Sequence, residues 1–192
     1  SGRNLKSSDN SHLPESFFVS KNMEQLKSRL ATTNDEKYAS QISGWTKESG
    51  TMLPKTVDDL MALFNNNDSV LVFDNEGALV SHAAITYTYS DGSVEIGCVI
   101  TDREKRKNGA ATQAVKQVLV LADKKYPSNK KFALANEHSA TLFEKIGAIK
   151  IPTTELSAEV WIPCKTCPRI PKQKSGQPFV CCDTPYDLTN IR

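Results

Sequence analysis

The chain has 192 residues, 39% of them hydrophobic and 24% charged, with a formal net charge of +2. That length and balance describe one domain with a core to bury, and they exclude a collagen-like chain, a repeat array and a fully disordered chain. No apolar run approaches the ~20 residues that span a bilayer, and residues 1–10 lack the apolar stretch of a signal peptide. The expectation is a soluble, cytoplasmic protein without a membrane partner. A charge this small argues against nucleic acid, which needs clustered Lys and Arg to neutralise phosphates.

In chain order, residues 1–15 are polar and aperiodic and read as a loose arm. Met23, Leu26 and Leu30 recur at helical spacing, residues 42–54 read as loop, and Thr56 precedes a second helix carrying Val57, Leu60, Met61 and Phe64, with Asp58 and Asp59 in its first turn. The period then changes to two. Ser69–Phe73, Ala78–Tyr89 and Val94–Thr101 are predicted strands separated by turns at Asp74–Gly77 and Ser90–Gly92, an antiparallel meander. A helix follows from about Gly109 to Lys125, with Ala111, Ala114, Val115, Val118, Leu119 and Ala122 on one apolar stripe. Lys131–Ala135 reads as a strand, Glu137–Lys145 as a helix closed by Gly147, and Leu156–Ile162 as a last strand. The organisation predicted is an arm (1–15), a main domain (16–162) and an extension (163–192). That last segment holds five of the nine prolines and four of the five cysteines.

The stretch from Thr101 to Thr112 joins a strand to a helix through small residues. A helix starting there offers the unpaired N–H groups near Asn108, Gly109, Ala110, Ala111 and Thr112 to an anion, and suits a phosphate or pyrophosphate. Gly109, Ala110 and Ala111 let a ligand approach the main chain, and Arg103, Lys105, Arg106 and Lys107 add positive charge. A basic solvated loop capped by Gly fits the same residues.

Arg106-x-x-Gly109-x-Ala111 resembles the Gln/Arg-x-x-Gly-x-Gly/Ala motif of the GNAT superfamily of acyl-CoA N-acyltransferases. The run from Asn136 through Ser139 and Leu142-Phe143 to Gly147-Ala148 is similar to that family's second signature, in register with the first. The resemblance implies a GNAT-like α/β (α+β) fold: a mixed, mostly antiparallel sheet flanked by helices and splayed between strands 4 and 5. The slot so formed would take the pantetheine arm of acetyl-CoA. Main-chain groups around Val99, Ile100 and Thr101 would pair with that arm, the loop from Arg106 to Thr112 would hold the pyrophosphate, and Asn136, Ser139 and Phe143 would line the slot. The implied reaction is N-acetyl transfer by direct attack of a neutral primary amine, carried by a small molecule, peptide or protein, on the thioester. The alternative is an acyl-CoA-binding module that uses the same slot with weakened catalysis.

By the same resemblance, Glu95 stands where many members carry a general base, often acting through water. Strand alternation places it on one face with Gly97, Val99 and Thr101, and an ordinary solvated strand-end Glu is the competing reading. Phe143 replaces the Tyr that usually protonates the leaving thiolate, so water, Tyr87 or Tyr89 must serve, or the thiolate leaves unassisted. The two tyrosines also suit plain cross-strand packing. His12, His82 and His138 have no partner at triad spacing, and Cys98 reads as a small buried apolar residue.

Cys164 and Cys167, followed by Cys181 and Cys182, supply four soft donors, the requirement of a tetrahedral structural zinc that would staple the extension as a knuckle. The adjacent second pair is an imperfect match, and a disulfide pair or four reduced thiols fit the same residues. Lys165, Arg169, Lys172 and Lys174 form a basic run without interleaved aromatics, which reads as solvated.

Overall fold

The computed structural model describes residues 26–167, 181–182 and 184–191. Their elements are β1 (Lys27–Leu30), α1 (Glu36–Ser49), α2 (Val57–Asn65), β2 (Ser69–Phe73), β3 (Leu79–Thr88), β4 (Val94–Thr101), α3 (Ala110–Lys125), β5 (Lys131–Ala135), α4 (Ala140–Lys145), β6 (Ile149–Lys150) and β7 (Thr184–Asp187). One sheet takes the order β1-β2-β3-β4-β5-β7-β6, antiparallel throughout except where β4 lies beside β5. Helices flank it, as the expected mixed α/β architecture requires.

Local chemistry sets the meander. The Asp74 side chain accepts from the amides of Glu76 (3.0 Å) and Ala78 (2.9 Å) and so closes the β2–β3 turn. Asp91 does the same for Ser93 in the β3–β4 turn, at 2.8 Å. Thr56 caps α2 through a reciprocal box with Asp59, the arrangement that fixes where this helix begins. Val70 and Val72 alternate with Leu71 along β2, so the sheet buries both faces. On one side the α3 stripe of Ala114, Val115, Val118 and Ala122 packs on Val80, Ile85 and Ile96. On the other, Ala39 and Ile42 of α1 and Leu60 and Phe64 of α2 pack on Leu71, Leu79 and Ala84.

Several expectations are corrected. Leu26 and Leu30 do not share a helix, because Lys27–Leu30 is an edge strand paired with β2 from Lys27↔Phe73 to Leu30↔Val70. Pairing with an exposed strand edge outweighed local spacing, and Met23 lies outside the described residues. Residues 42–49 are helical, not loop. The buried stripe of α1 is Ala39, Ile42, Ser43 and Thr46, so half of it is polar and the 3.6 period is hidden from a hydrophobicity reading. Ser43 and Thr46 are buried with their hydroxyls engaged: Ser43 donates to the Lys55 carbonyl (2.8 Å), and Thr46 accepts from the Lys55 amide (2.9 Å).

Leu156–Ile162 is not a strand either. Ala158–Thr166 forms a 3-10 helix that sets Val160 with Tyr89, Phe132, Ile151 and Leu156 in a third apolar cluster. The neighbour of β5 is instead β7, from the segment read as an extension, with Ala135↔Thr184 and Phe132↔Asp187 in register, and β6 follows outside it. Helix α4 begins at Ala140, three residues after the expected start. The expected arm at residues 1–15 lies outside the described residues.

Candidate active site

The central strands separate as predicted from the resemblance. Parallel pairing of β4 and β5 covers Val94↔Lys131 and Glu95↔Phe132 only, after which the strands part. Among the described residues, the β4 main chain from Ile96 onward has no strand beside it on that edge. The other edge of β4 is kinked by a bulge: His82 pairs with Ile100 but Ala84 with Gly97, so Cys98 and Val99 together face Ala83. Cys98 takes φ +49°, a left-handed conformation that costs a non-glycine residue ~1–2 kcal/mol. The fully buried His82 offsets that strain by donating from Nδ1 to the Cys98 carbonyl at 3.0 Å, while its Nε2 meets Ser69 Oγ at 3.1 Å. Burial lowers the His82 pKa to about 4, and it sits there as a neutral ring.

The extra residue changes which side chains share a face. Val94 and Ile96 pack with α3, as does Val99, whereas Cys98 and Ile100 pack under α1 and α2. Glu95 and Gly97 therefore belong with Cys98 and Ile100, and the predicted sharing of a face by Glu95 and Val99 is corrected. Thr101 ends β4 beside Ser81, their hydroxyls 2.9 Å apart. Cys98 is a buried thiol pushed up to about 12 by desolvation, consistent with a packing role.

After β4 the chain makes a 3-10 turn and enters α3. Lys107 (φ +70°) and Gly109 (φ +89°) both lie in the left-handed region, which concentrates a kink just before the helix. The Ala110 amide is taken by Asn108 Oδ1 (3.0 Å) and that of Gln113 by the Gly109 carbonyl (3.0 Å). The amides of Ala111 and Thr112 are left for an incoming acceptor, as in the first turn of any helix. Nothing lies within 4 Å of where a Gly109 Cβ would be, so open space covers this turn. Arg106 and Lys107 are exposed around it. Lys105 is turned away, 3.3 Å from buried Asp74.

At the opposite end of β4, Glu95 Oε2 accepts a 2.5 Å hydrogen bond from the Tyr89 hydroxyl. Burial raises the Glu95 carboxyl, against the lowering effect of Tyr89, Thr86 and the charge of Lys55. Burial and the Glu95 charge together hold the Tyr89 phenol far above its ordinary value, so it keeps its proton. A Cβ on Gly97 would come within 2.8 Å of Thr86 Oγ1 and at an ordinary contact of 3.5 Å from Glu95 Oε1, so this glycine makes room for Thr86 beside the carboxylate. Sequence reasoning named Glu95 as a candidate base, offered Tyr89 as a proton donor or as cross-strand packing, placed Gly97 on the Glu95 face without a role, and did not single out Lys55.

Asn136 follows β5 at the mouth of the splay. Its Oδ1 accepts from the amides of His138 (2.9 Å) and Ser139 (3.0 Å), and its Nδ2 donates to the Thr51 carbonyl (2.7 Å), tying the α1–α2 loop across to β5. Ser139 Oγ accepts from the Asn136 amide at 3.0 Å. Phe143 is 2% exposed and stacks on Tyr186 with centroids 5.8 Å apart, while the Tyr186 hydroxyl donates to Glu144 (2.9 Å).

The zinc expectation gains no support. Among the described residues no group of three or more His, Cys, Asp or Glu side chains is disposed to hold a metal ion, and Cys164, Cys167, Cys181 and Cys182 form no disulfide. Cys164 and Cys167 share one 3-10 turn, the Cys167 amide donating to the Cys164 carbonyl at 3.3 Å. Cys181 and Cys182 precede β7, and the Cys182 thiol is raised by burial first and then by the nearby thiols of Cys164 and Cys167. No helix among the described residues is long and apolar enough to cross a membrane.

Residues 32–148 match the family model described as the acetyltransferase (GNAT) family. No curated protein matches the sequence. Solved structures with a similar fold include a Mycobacterium tuberculosis protein in complex with CoA, at 21% identity and a TM-score of 0.57, covering 77% of this chain and 86% of that one. N-acetylglutamate synthase from Neisseria gonorrhoeae, complexed with CoA and N-acetyl-glutamate, is 16% identical with a TM-score of 0.61, covering 85% of this chain. This chain accounts for only 35% of that synthase. A predicted acetyltransferase from Clostridium acetobutylicum, solved with acetyl-CoA, is 20% identical with a TM-score of 0.50, covering 68% of this chain and 98% of that one.

Proposed function

Because the chain belongs to the GNAT acetyltransferase family and is an acyltransferase, we propose that it moves an acetyl group from acetyl-CoA to a primary amine, with Glu95 as general base. The observation that carries this reading is the pairing of an open turn at Lys107–Thr112, suited to an anion, with a half-buried carboxylate at the far end of the same strand. The separation of β4 from β5 after Glu95 provides the slot between them.

In this reading the amides of Ala111 and Thr112 donate to the pyrophosphate oxygens over Gly109, and Arg106 and Lys107 add charge from the exposed side. The main chain around Val99–Thr101 aligns the pantetheine arm, bringing the thioester toward Glu95. Asn136, Ser139 and Phe143 shape the β5 side of the slot. Glu95 removes one proton from the substrate ammonium, directly or through water. The amine lone pair then attacks the thioester carbon, the C–S bond breaks, and the thiolate departs with that electron pair. The nitrogen loses its second proton, so the products are the N-acetyl amine and CoA, with the thiolate protonated from solvent where Phe143 has no proton to give. The binding-only reading, to which Phe143 lends support, predicts acetyl-CoA binding with no thiol released.

Calorimetry with acetyl-CoA, followed by thiol release across a panel of amines, tests the proposal. Glu95→Gln is expected to lower kcat by about a hundredfold, typical of a lost general base, while the Kd for acetyl-CoA stays the same. Because burial raises the Glu95 carboxyl, the acidic limb of kcat/KM should lie above the ordinary carboxylate range. Binding without turnover of any amine would favour the binding module. No binding by folded protein would remove the slot assignment.

A further inference from the structure

Two bulges bracket Glu95. One is at Cys98 in β4; the other is in β3, where Ile85 pairs with Ile96 but Tyr87 pairs with Glu95, so Thr86 is the extra residue. Cross-strand partners share a face, and the Thr86 bulge therefore transfers Tyr87 to the Glu95 face although Ile85 packs with α3. Tyr87 and Tyr89 lie with ring centroids 4.6 Å apart, and Tyr89 packs against Phe132 of β5 at 5.7 Å. Tyr89 is 7% exposed, whereas Tyr87 is 54% exposed. The phenol that reaches the carboxylate is thus the buried one, held from two sides, and its hydroxyl is spent on Glu95 Oε2.

The other oxygen has a different setting. Oε1 lies over Gly97, at ordinary contact distance from where a Cβ would stand. Thr86 Oγ1 donates to the Glu95 carbonyl at 3.3 Å and closes the strand side of the pocket.

We propose that Tyr89 is a positioning residue for the general base: by occupying Oε2 it fixes the carboxylate and leaves Oε1, over Gly97, as the oxygen that takes the proton from the acceptor amine. This rests on the reading of Glu95 as base. One proton passes from the ammonium to Oε1, directly or through water, and the Tyr89 proton stays on its own oxygen throughout. The Oε2 hydrogen bond stabilises the carboxylate, the form that accepts a proton. Other groups act on the pair. The Thr86 hydroxyl and the charge of Lys55 from the α1–α2 loop also favour the Glu95 carboxylate, Cys182 feels it from before β7, and Tyr87 and Glu159 act on Tyr89. The hydrogen bond to Oε2 comes from Tyr89, and Thr86 and Lys55 stay in place in Tyr89→Phe, so removal of the Tyr89 hydroxyl isolates its contribution.

Side-chain carbon NMR of protein carrying labelled Glu tests this without a known acceptor, with Glu95→Gln assigning the Glu95 signal. In Tyr89→Phe the Glu95 titration should move to higher pH, and in Tyr87→Phe it should stay in place. With any amine that the wild type acetylates, the acidic limb of kcat/KM should move the same way. At neutral pH kcat should fall about tenfold, and KM for acetyl-CoA should not change. An unmoved titration in folded Tyr89→Phe overturns the proposal while leaving Glu95 as base. Full activity in Glu95→Gln overturns both. If Tyr89→Phe does not fold, fluorotyrosine in place of tyrosine supplies a more acidic phenol and a stronger donor. It should move the Glu95 titration to lower pH, and no movement there also overturns the proposal.

Discussion

The two ends of β4 are built from different materials. Where the strand leads into α3, the groups proposed to bind are main-chain amides in a turn that uses Lys107 and Gly109 at positive φ, under open space. Around Glu95 they are side chains: Tyr89 from the β3–β4 turn, Thr86 from a bulge in β3, and Lys55 from the α1–α2 loop. A backbone cradle suits a constant partner, because amides offer the same geometry whatever the side chains. A side-chain pocket can be altered one residue at a time, which suits the part of a substrate that distinguishes one acceptor from another.

The largest effect is expected from breaking the backbone end. In Gly109→Val a branched side chain enters the open space and must adopt φ +89°, a conformation that β-branched residues avoid. Losing about two charge-assisted hydrogen bonds to phosphate corresponds to a Kd for acetyl-CoA about a hundredfold weaker. Calorimetry reads it, with circular dichroism to show that the fold persists. Unchanged affinity would mean that the turn does not hold the pyrophosphate.

The side-chain end should respond in the opposite parameter. Gly97→Ala puts a methyl 2.8 Å from Thr86 Oγ1, so Thr86 must shift and the floor under Glu95 Oε1 rises. A drop of roughly tenfold in kcat is expected from misplaced reacting groups, with acetyl-CoA affinity intact. Adding Thr86→Ala should return part of the loss, since the two residues compete for one space. A Gly97→Ala protein that instead loses CoA affinity would show that the two ends are not separable.

What could be read from the sequence follows the same division. The turn was legible because the role proposed for it depends on small residues at fixed spacing, and Arg106-x-x-Gly109-x-Ala111 carries that spacing. Strands β2, β4 and β5 were legible because each alternates or runs apolar between clear turn signals. The Glu95 pocket was only half legible. Its partner Tyr89 reaches it through two bulges, and neither has a local signal: Cys98 adopts positive φ without being Gly, and Thr86 looks like any strand residue. Helix α1 was hidden for a related reason, since Ser43 and Thr46 are buried to hold Lys55 rather than to fill a core. Strand β7 was hidden by Pro185 within it and by short length, and only its long-range register with β5 defines it.

A third break concerns the bulge itself and is read as stability against pH. His82 has a folded pKa of about 4 against an ordinary 6.5, so between those values the unfolded chain binds the proton that the folded chain refuses. Its contribution is full above pH 6.5 and is lost as pH falls toward 4, up to about 3 kcal/mol in all. Glu95 acts with the opposite sign, because its raised carboxyl makes the folded state bind a proton more readily. Asp35, lowered to about 2 chiefly by its hydrogen bond from Arg29, matters only below the ordinary carboxylate range. Comparing slopes between chains therefore isolates the ring. Denaturant unfolding from pH 7 to pH 4 should show a shallower loss of stability in His82→Gln than in the wild type, even though the variant starts less stable. Parallel slopes would mean that the ring protonates in place, its added Nε2 proton taken by Ser69 Oγ without loss of the folded state.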